Sequence, residues 1–171
     1  MATSKNKTSE IRAEPVPAGI KNQLSRSGLW ICSLYENVRV KRLMPSRNRS
    51  FRYYVIVHLL DGSSFYWNPR MSKDCILKAG AGIVVTPETL VRYGAADDRF
   101  TEDSIGFFGP TADALRQASI IKNGVVNIGK TRRLLPIIEK AKKASLQDLL
   151  EANVMLQNLF FELYHERGDW E

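Results

Sequence analysis

Metal-ligating and disulfide-forming residues are scarce in this sequence. It holds only two cysteines, Cys32 and Cys75, and two histidines, His58 and His165, and neither histidine has a Cys or His partner at the spacing of a zinc site. The sequence therefore predicts no metal and no cofactor, and reduced, buried thiols of the kind found in the cytosol or nucleus. A cysteine nucleophile paired with His58 stays open as the alternative.

A long apolar run and a secretory signal are also missing. No stretch approaches the roughly 18 to 20 apolar residues that cross a bilayer, and the first residues lack the pattern of a signal peptide. We expect a soluble protein whose only contact with a membrane is peripheral.

Nucleotide-binding motifs are represented by a single formal match. Residues 124–131, GVVNIGKT, fit the P-loop pattern G-x-x-x-x-G-K-[ST]. The intervening residues are bulky and apolar and predict a strand, whereas a phosphate-cradling loop needs small residues. We therefore predict that the protein is not an enzyme, and an NTPase that uses Lys130 and Thr131 stays open as the alternative.

Positive charge is what the sequence has in excess. The 171 residues carry a formal net charge of +7, while 44% hydrophobic and 25% charged residues are typical of one globular domain. A basic protein favours acidic partners, which include nucleic-acid phosphate, anionic lipid head groups and acidic protein faces. Charge alone does not choose among them.

Residue types along the chain predict a flexible basic tail over residues 1–28 and a single α+β domain over residues 29–171. The tail has no apolar period and contains the segment PVPAG. Beyond it, β-branched and aromatic residues predict strands, with Asp61-Gly62 as a hairpin turn between residues 51–60 and 63–67. Apolar residues on both faces of the 51–60 strand place it inside an antiparallel sheet, packed against several helices or another protomer.

The second half of the domain is predicted to contain helices, short strands and one acidic loop. Thr86-Pro87 is typical of a helix start, and Gly94 of its end. A long amphipathic helix is predicted after Ser145 and ends near Arg167. The acidic residues predicted to lie in a surface loop are Asp97, Asp98, Glu102 and Asp103.

Two groups of basic residues are candidate binding residues. The N-terminal basic cluster consists of Arg39, Lys41, Arg42, Arg47, Arg49 and Arg52. The C-terminal basic cluster consists of Lys130, Arg132, Arg133, Lys140, Lys142 and Lys143. On one shared surface they would bind phosphate or lipid head groups with salt-dependent affinity. The alternative is that these charges are dispersed and solvated.

The last helix reverses the sign of the charge and carries a wide apolar stripe. Head-to-tail self-association, in which its acidic residues meet the basic clusters of the next subunit, predicts a homo-oligomer. Packing of the helix on its own sheet is the alternative. The residues predicted to mediate self-association are Leu156, Phe160, Leu163 and Tyr164.

The segment Val38-Arg39-Val40-Lys41, followed by SRNRSFRY over residues 46–53, is similar to the first strand pair of vertebrate rhabdovirus matrix proteins. Size, charge and element order resemble the small matrix proteins of plant cytorhabdoviruses. The resemblance implies a structural protein that self-associates and bridges ribonucleoprotein to anionic membrane during virion assembly. It implies a location in the virion and host cytoplasm, peripheral to membrane.

By this resemblance the basic tail residues would touch lipid, and the two basic clusters would meet nucleocapsid, RNA or lipid. The tail residues concerned are Lys5, Lys7 and Arg12. The tail has neither a P-P-x-Y nor a P-[ST]-A-P motif, so we do not expect recruitment of host budding machinery by that route. An RNA-binding accessory protein, such as a silencing suppressor or movement factor, is the alternative function.

Overall fold

A computed structural model describes residue 23 and residues 26–41 and 47–168. Lys5, Lys7, Arg12 and Arg42 lie outside the described residues, as does most of the predicted tail.

The domain is α+β, and its sheet is antiparallel. Across the sheet the strand order is β1-β5-β2-β4-β6, and β3 pairs with the second half of β2. The six strands found in the described ranges are β1 (Trp30–Lys41), β2 (Tyr54–Trp67), β3 (Cys75–Lys78), β4 (Ala81–Val85), β5 (Arg92–Phe108) and β6 (Gly124–Asn127). The helices in the same ranges are α1 (Pro110–Gln117), α2 (Leu135–Lys142) and α3 (Leu146–Glu166).

The Asp-Gly hairpin prediction is wrong, because β2 runs straight through Asp61 and Gly62. Both residues keep pairing with β5, and the register shifts on either side of them. Gly62 has the positive φ of 80° that the sequence suggested, but it serves a β-bulge instead of a turn. A Cβ at this position would lie 2.5 Å from the carbonyl oxygen of Arg99.

The predicted short helix and acidic loop are also wrong. Residues 86–90 form a turn, in which the hydroxyls of Thr86 and Thr89 lie 2.8 Å apart. The acidic residues belong to β5, a strand of 17 residues. Asp is disfavoured in strands on average, but here Asp103 lies on the same face as Ile105 and Phe107, which are completely buried, and tertiary contacts outweigh that preference.

The helix starts agree better with the sequence. Pro110 stands at the beginning of α1, and Ser145 caps α3 by accepting a hydrogen bond from the backbone N–H of Asp148 at 3.0 Å. Such a cap stabilises a helix by about 1 kcal/mol. The cap fixes where α3 begins and therefore which of its residues face the sheet.

Two apolar cores lie on opposite faces of β2, because successive side chains of a strand alternate in direction. The larger core contains Tyr54 and Ile56 and is covered by the helices, with Phe107 packed 5.3 Å from the ring of Phe160. The smaller core contains Val55 and Val57 and receives no residue from the described helices. Its cover comes from the other strands and from residues 51–53, since bulged strands bend.

Candidate functional site

The smaller core encloses a carboxyl group, that of Glu102. Glu102 lies on β5 opposite Val38 of β1 and Leu59 of β2, and only 8% of its surface is exposed. Its Oε2 atom is buried and has no hydrogen-bond partner within the described part of the chain. Buried carboxylate oxygens are nearly always paired, so an unpaired one marks a candidate functional position.

The buried environment of Glu102 favours the protonated form of its carboxyl group. Burial raises the pKa of Glu102 to about 7, although the positive charge of Arg49 opposes this and the negative charge of Asp103 adds to it. The carboxyl group of Glu102 therefore changes charge near neutral pH. It can donate a hydrogen bond when protonated and only accepts hydrogen bonds when ionised.

Arg49 and aromatic side chains border this carboxyl group. The backbone of Arg49 pairs with Val91 through hydrogen bonds of 2.7 and 2.9 Å, and this bridge places its guanidinium 5.1 Å from the ring centre of Tyr93. Phe51 and Tyr53 pack against the same core with ring centres 5.7 Å apart. Burial raises the pKa of Tyr93 to about 12, so its hydroxyl stays protonated. A cation, a buried carboxyl and aromatic side chains therefore lie at the edge of the smaller core.

Asp103, the next residue, points to the opposite face of the sheet and is fully paired. Arg132 donates two hydrogen bonds to its carboxylate, at 2.8 and 3.0 Å, and the backbone N–H of Asn37 donates a third at 2.8 Å. Asp103 is completely buried. This bidentate pair joins the loop before α2 to the sheet, so Arg132 has a structural role.

His58 lies opposite Asp103 in the β2–β5 register. It is completely buried, and its Nε2 atom lies 2.8 Å from the carbonyl oxygen of Gly129. Because a carbonyl only accepts, Nε2 carries the proton, and burial lowers the pKa of the ring. The predicted thiol pair is not formed with Cys32, which is exposed, or with Cys75, which lies at the other end of β2 opposite Tyr66.

The described members of the N-terminal basic cluster lie at the surface. No ion pair involves its members in the described ranges, and Arg39 and Lys41 point away from the smaller core, which receives Val40. Lys41 lies opposite exposed Arg99 of β5 in the backbone register of the two strands. The exposed members are Arg39, Lys41, Arg47, Arg49 and Arg52.

The C-terminal basic cluster is largely neutralised by the molecule's own acids. Arg133 contacts Glu162 at 2.7 Å and Glu166 at 2.8 Å, both on α3. Lys140 pairs with Asp148 and Glu151 of the same helix, and Arg132 and Lys142 pair with Glu36 of β1. Lys130 and Lys143 are exposed and have no ion pair with any described residue. The acidic helix therefore meets the basic cluster within one subunit.

The predicted self-association residues lie mostly inside the larger core. Leu156 is 0%, Phe160 2% and Leu163 3% exposed, and Tyr164 is partly buried. The correction follows from the direction of α3, whose apolar stripe is wide enough to reach both the sheet and solvent. The large apolar residues of α3 that are exposed are Leu146, Leu150 and Val154.

The P-loop match has the structure that its apolar residues predicted. Residues 124–127 form β6 and pair with β4, and the backbone N–H of Gly129 donates to the carbonyl of Gly80 at 2.9 Å. That N–H is therefore not available to a phosphate. Among the residues with described positions, no group of three or more His, Cys, Asp or Glu is arranged to hold a metal ion, and no helix has the length and apolarity needed to cross a membrane.

Sequence reasoning missed Glu102, because it assigned all four acidic residues to one loop. The available signal was the period of two: Phe100, Glu102 and Ser104 share one face, while Asp103 and Ile105 share the other. Arg49 was identified as a member of the anion-binding N-terminal basic cluster, but its position next to a buried carboxyl group was not predicted.

No protein-family model and no curated protein matches the sequence. Solved structures similar in part include hydroxypropylphosphonic acid epoxidase from S. wedmorenis, an enzyme, at 14% identity and a TM-score of 0.36, over 47% of this chain and 44% of that one. A protein from Neisseria meningitidis aligns at 10% identity and a TM-score of 0.37, over 50% of this chain and 79% of that one. A DUF1255 protein from Acidithiobacillus ferrooxidans aligns at 14% identity and a TM-score of 0.31, over 42% and 60%. The chain spans less than half of the epoxidase, and likenesses of this size carry no argument about function.

Proposed function

We propose that this protein binds a small organic molecule at Glu102, at the edge of the smaller core, and acts by binding instead of catalysis. The observation that carries the proposal is the buried Oε2 atom of Glu102, which has no partner among the described residues. A ligand that donates a hydrogen bond to this oxygen would remove the cost of burying it unpaired, about 1–3 kcal/mol.

The surroundings define the chemistry of the ligand. The rings of Phe51, Tyr53 and Tyr93 offer apolar faces, and Arg49 offers a donor to an acceptor group of the ligand. Sites of this kind combine mostly apolar walls with a few polar groups that fix orientation. The ligand class is therefore a small molecule with a flat or apolar body and an ammonium or hydroxyl donor.

A thermal-shift screen followed by calorimetry tests this proposal on the full chain. One compound set carries amines and the other carries hydroxyl groups, and both are measured at pH 5.5 and pH 8. An amine binds more tightly at pH 8, because Glu102 is then ionised, whereas hydroxyl compounds depend less on pH.

The matched variants are Glu102→Gln, which removes the charge at the site, and Glu139→Gln, an exposed glutamate of α2. We expect binding to weaken by ~10-fold or more in Glu102→Gln and to be unchanged in Glu139→Gln. If neither set contains a compound whose binding depends on Glu102, the proposal is wrong.

A second candidate function is binding of a polyanion, and the exposed N-terminal basic cluster favours it. In its narrower form this is the viral matrix-type role in which the protein self-associates and bridges ribonucleoprotein to anionic membrane in the virion and host cytoplasm. The alternative form is an RNA-binding accessory protein. The ion pairs of Arg133 and Lys140 with α3 reduce the free charge of the C-terminal basic cluster, so the N-terminal basic cluster supplies most of the proposed binding surface.

Sedimentation with phosphatidylserine vesicles and filter binding to single-stranded RNA distinguish these two forms. Replacing Arg39 and Lys41 by Gln lowers the salt dependence of binding by about one unit for each lost phosphate contact. Lys73→Gln, an exposed lysine after β2, is the control. Binding to neither probe at low salt excludes the polyanion function.

A further inference from the structure

A cavity of about 560 Å³ lies beyond the end of β2, away from Glu102. It is bordered by the turn after β2, by residues 86–90 and by the C-terminal end of α1 with the segment that follows. This volume falls within the range of small-molecule sites in proteins. A single inorganic ion would fill only a small part of it.

The charged residues in the described lining are all basic. Arg70, Arg116 and Lys122 border the cavity, and none of the described lining residues carries a carboxylate. Arg70 and Arg116 are exposed, and neither forms an ion pair within the described part of the chain. The guanidinium groups of Arg70 and Arg116 raise the potential of this concavity and attract an anion.

A hydrogen-bonded wall holds the cavity in shape. The side-chain amides of Asn68 and Asn123 donate to the hydroxyl of Tyr66 at 3.2 and 3.1 Å, and Tyr66 is itself 1% exposed. The amide oxygen of Asn123 accepts the backbone N–H of Thr86 at 3.2 Å. The wall is therefore built before a ligand arrives, which lowers the entropy lost on binding.

The same cavity has apolar lining residues, Met71 and Leu90. Leu90 is 39% exposed, one of the large apolar side chains at the surface. Apolar contacts beside the two guanidinium groups suit a molecule that combines an anionic group with an apolar body.

We propose that this cavity binds a small organic oxyanion, a phosphate monoester or a carboxylate with an aromatic or alkyl body. The guanidinium groups of Arg70 and Arg116 bind the oxyanion, since their geometry matches two oxygens of one anion. Met71 and Leu90 contact the body. This site is independent of the one at Glu102.

The test is calorimetric titration of the full chain with phenyl phosphate and with benzoate at low ionic strength, with phenol as the uncharged control. We expect one site for the preferred anion and no measurable binding of phenol. The tighter of the two anions identifies the oxyanion as phosphate or carboxylate.

Arg70→Gln and Arg116→Gln should each weaken anion binding by ~10-fold or more, and Arg47→Gln, an exposed arginine of the N-terminal basic cluster, should leave it unchanged. Glu102→Gln should also leave it unchanged. Melting temperatures of the variants check that they fold. No binding of either anion to the wild type at millimolar concentration overturns the proposal, as does equal binding to wild type and both arginine variants.

Discussion

Replacing Glu102 by Gln should make the protein more stable at alkaline pH and leave its stability nearly unchanged at acid pH. A carboxyl group whose pKa is about 7 in the folded state and ordinarily 4.5 favours folding only while it is protonated. Its favourable contribution is complete below the unfolded value and is lost as the pH rises through 7. At about 1.4 kcal/mol per pH unit, the full loss is about 3 kcal/mol.

The measurement is urea unfolding of wild type and Glu102→Gln at half-unit steps from pH 4.5 to 8.5. Their difference in free energy of unfolding should grow from near zero at pH 4.5 to about 3 kcal/mol in favour of the variant at pH 8.5. Using the difference removes the contribution of His58, whose lowered pKa costs stability as the pH falls. Glu139→Gln is the control and should give a difference that is flat with pH.

A constant difference between wild type and Glu102→Gln across this range would refute the reasoning, since it would mean that Glu102 is solvated or paired. A difference of the opposite sign, with the variant less stable at alkaline pH, would show that Arg49 stabilises the ionised carboxylate more than burial destabilises it. Either result would also remove the argument for a donor ligand at this position.

Three further changes test the rest of the structure. Arg132→Ala leaves the buried carboxylate of Asp103 without its bidentate partner and should lower the free energy of unfolding by about 2–3 kcal/mol, because Arg132 itself is partly exposed. Gly62→Ala forces a Cβ towards the carbonyl of Arg99 at positive φ and should cost about 1–3 kcal/mol in the same assay. We expect sedimentation to show concentration-dependent dimers of the wild type through the exposed stripe of α3, and Val154→Glu to sediment as a monomer at every concentration.

Each of these changes has a matched control in the chain. Lys130→Ala removes an exposed cation without an ion pair to the described residues and should change stability by no more than about 0.5 kcal/mol. Gly124→Ala adds a Cβ that meets no atom within 4 Å, so it isolates the backbone strain from the clash. Asn127→Glu adds a negative charge at an exposed residue of β6, outside α3, and should keep dimers. If a control variant changed stability or association as much as its test variant, the contact assigned to the test residue would be wrong.

Local signals in the sequence predicted the local elements. Ser145 followed by Asp148 predicted the start of α3, and the apolar residues of 124–128 predicted a strand where a motif suggested a loop. Apolar residues on both faces of the predicted strand 51–60 indicated two buried faces, and the two cores confirm this for the part that begins at Tyr54. These features depend on neighbours within a few residues, and sequence patterns record such neighbours well.

Features set by distant residues were not predictable. Asp-Gly favours positive φ in a turn and in a bulge alike, and only the continued pairing of Asp61 with Thr101 decides between them. Asp103 tolerates a strand interior because Arg132, 29 residues later, binds it. Arg133 is neutralised by Glu162 and Glu166 of α3. These residues are distant in the sequence, so no spacing pattern predicts the contact.

Strand β2 separates the two cores, and consecutive residues along it belong to different cores. Ile56 reports on the helix side and Val57 on the other, although one peptide bond separates them. We therefore expect the two cores to unfold in one step, because both depend on the backbone of β2. When a ligand binds beside Glu102, we therefore expect amide exchange along β2 to slow at Ile56 as well as at Val57.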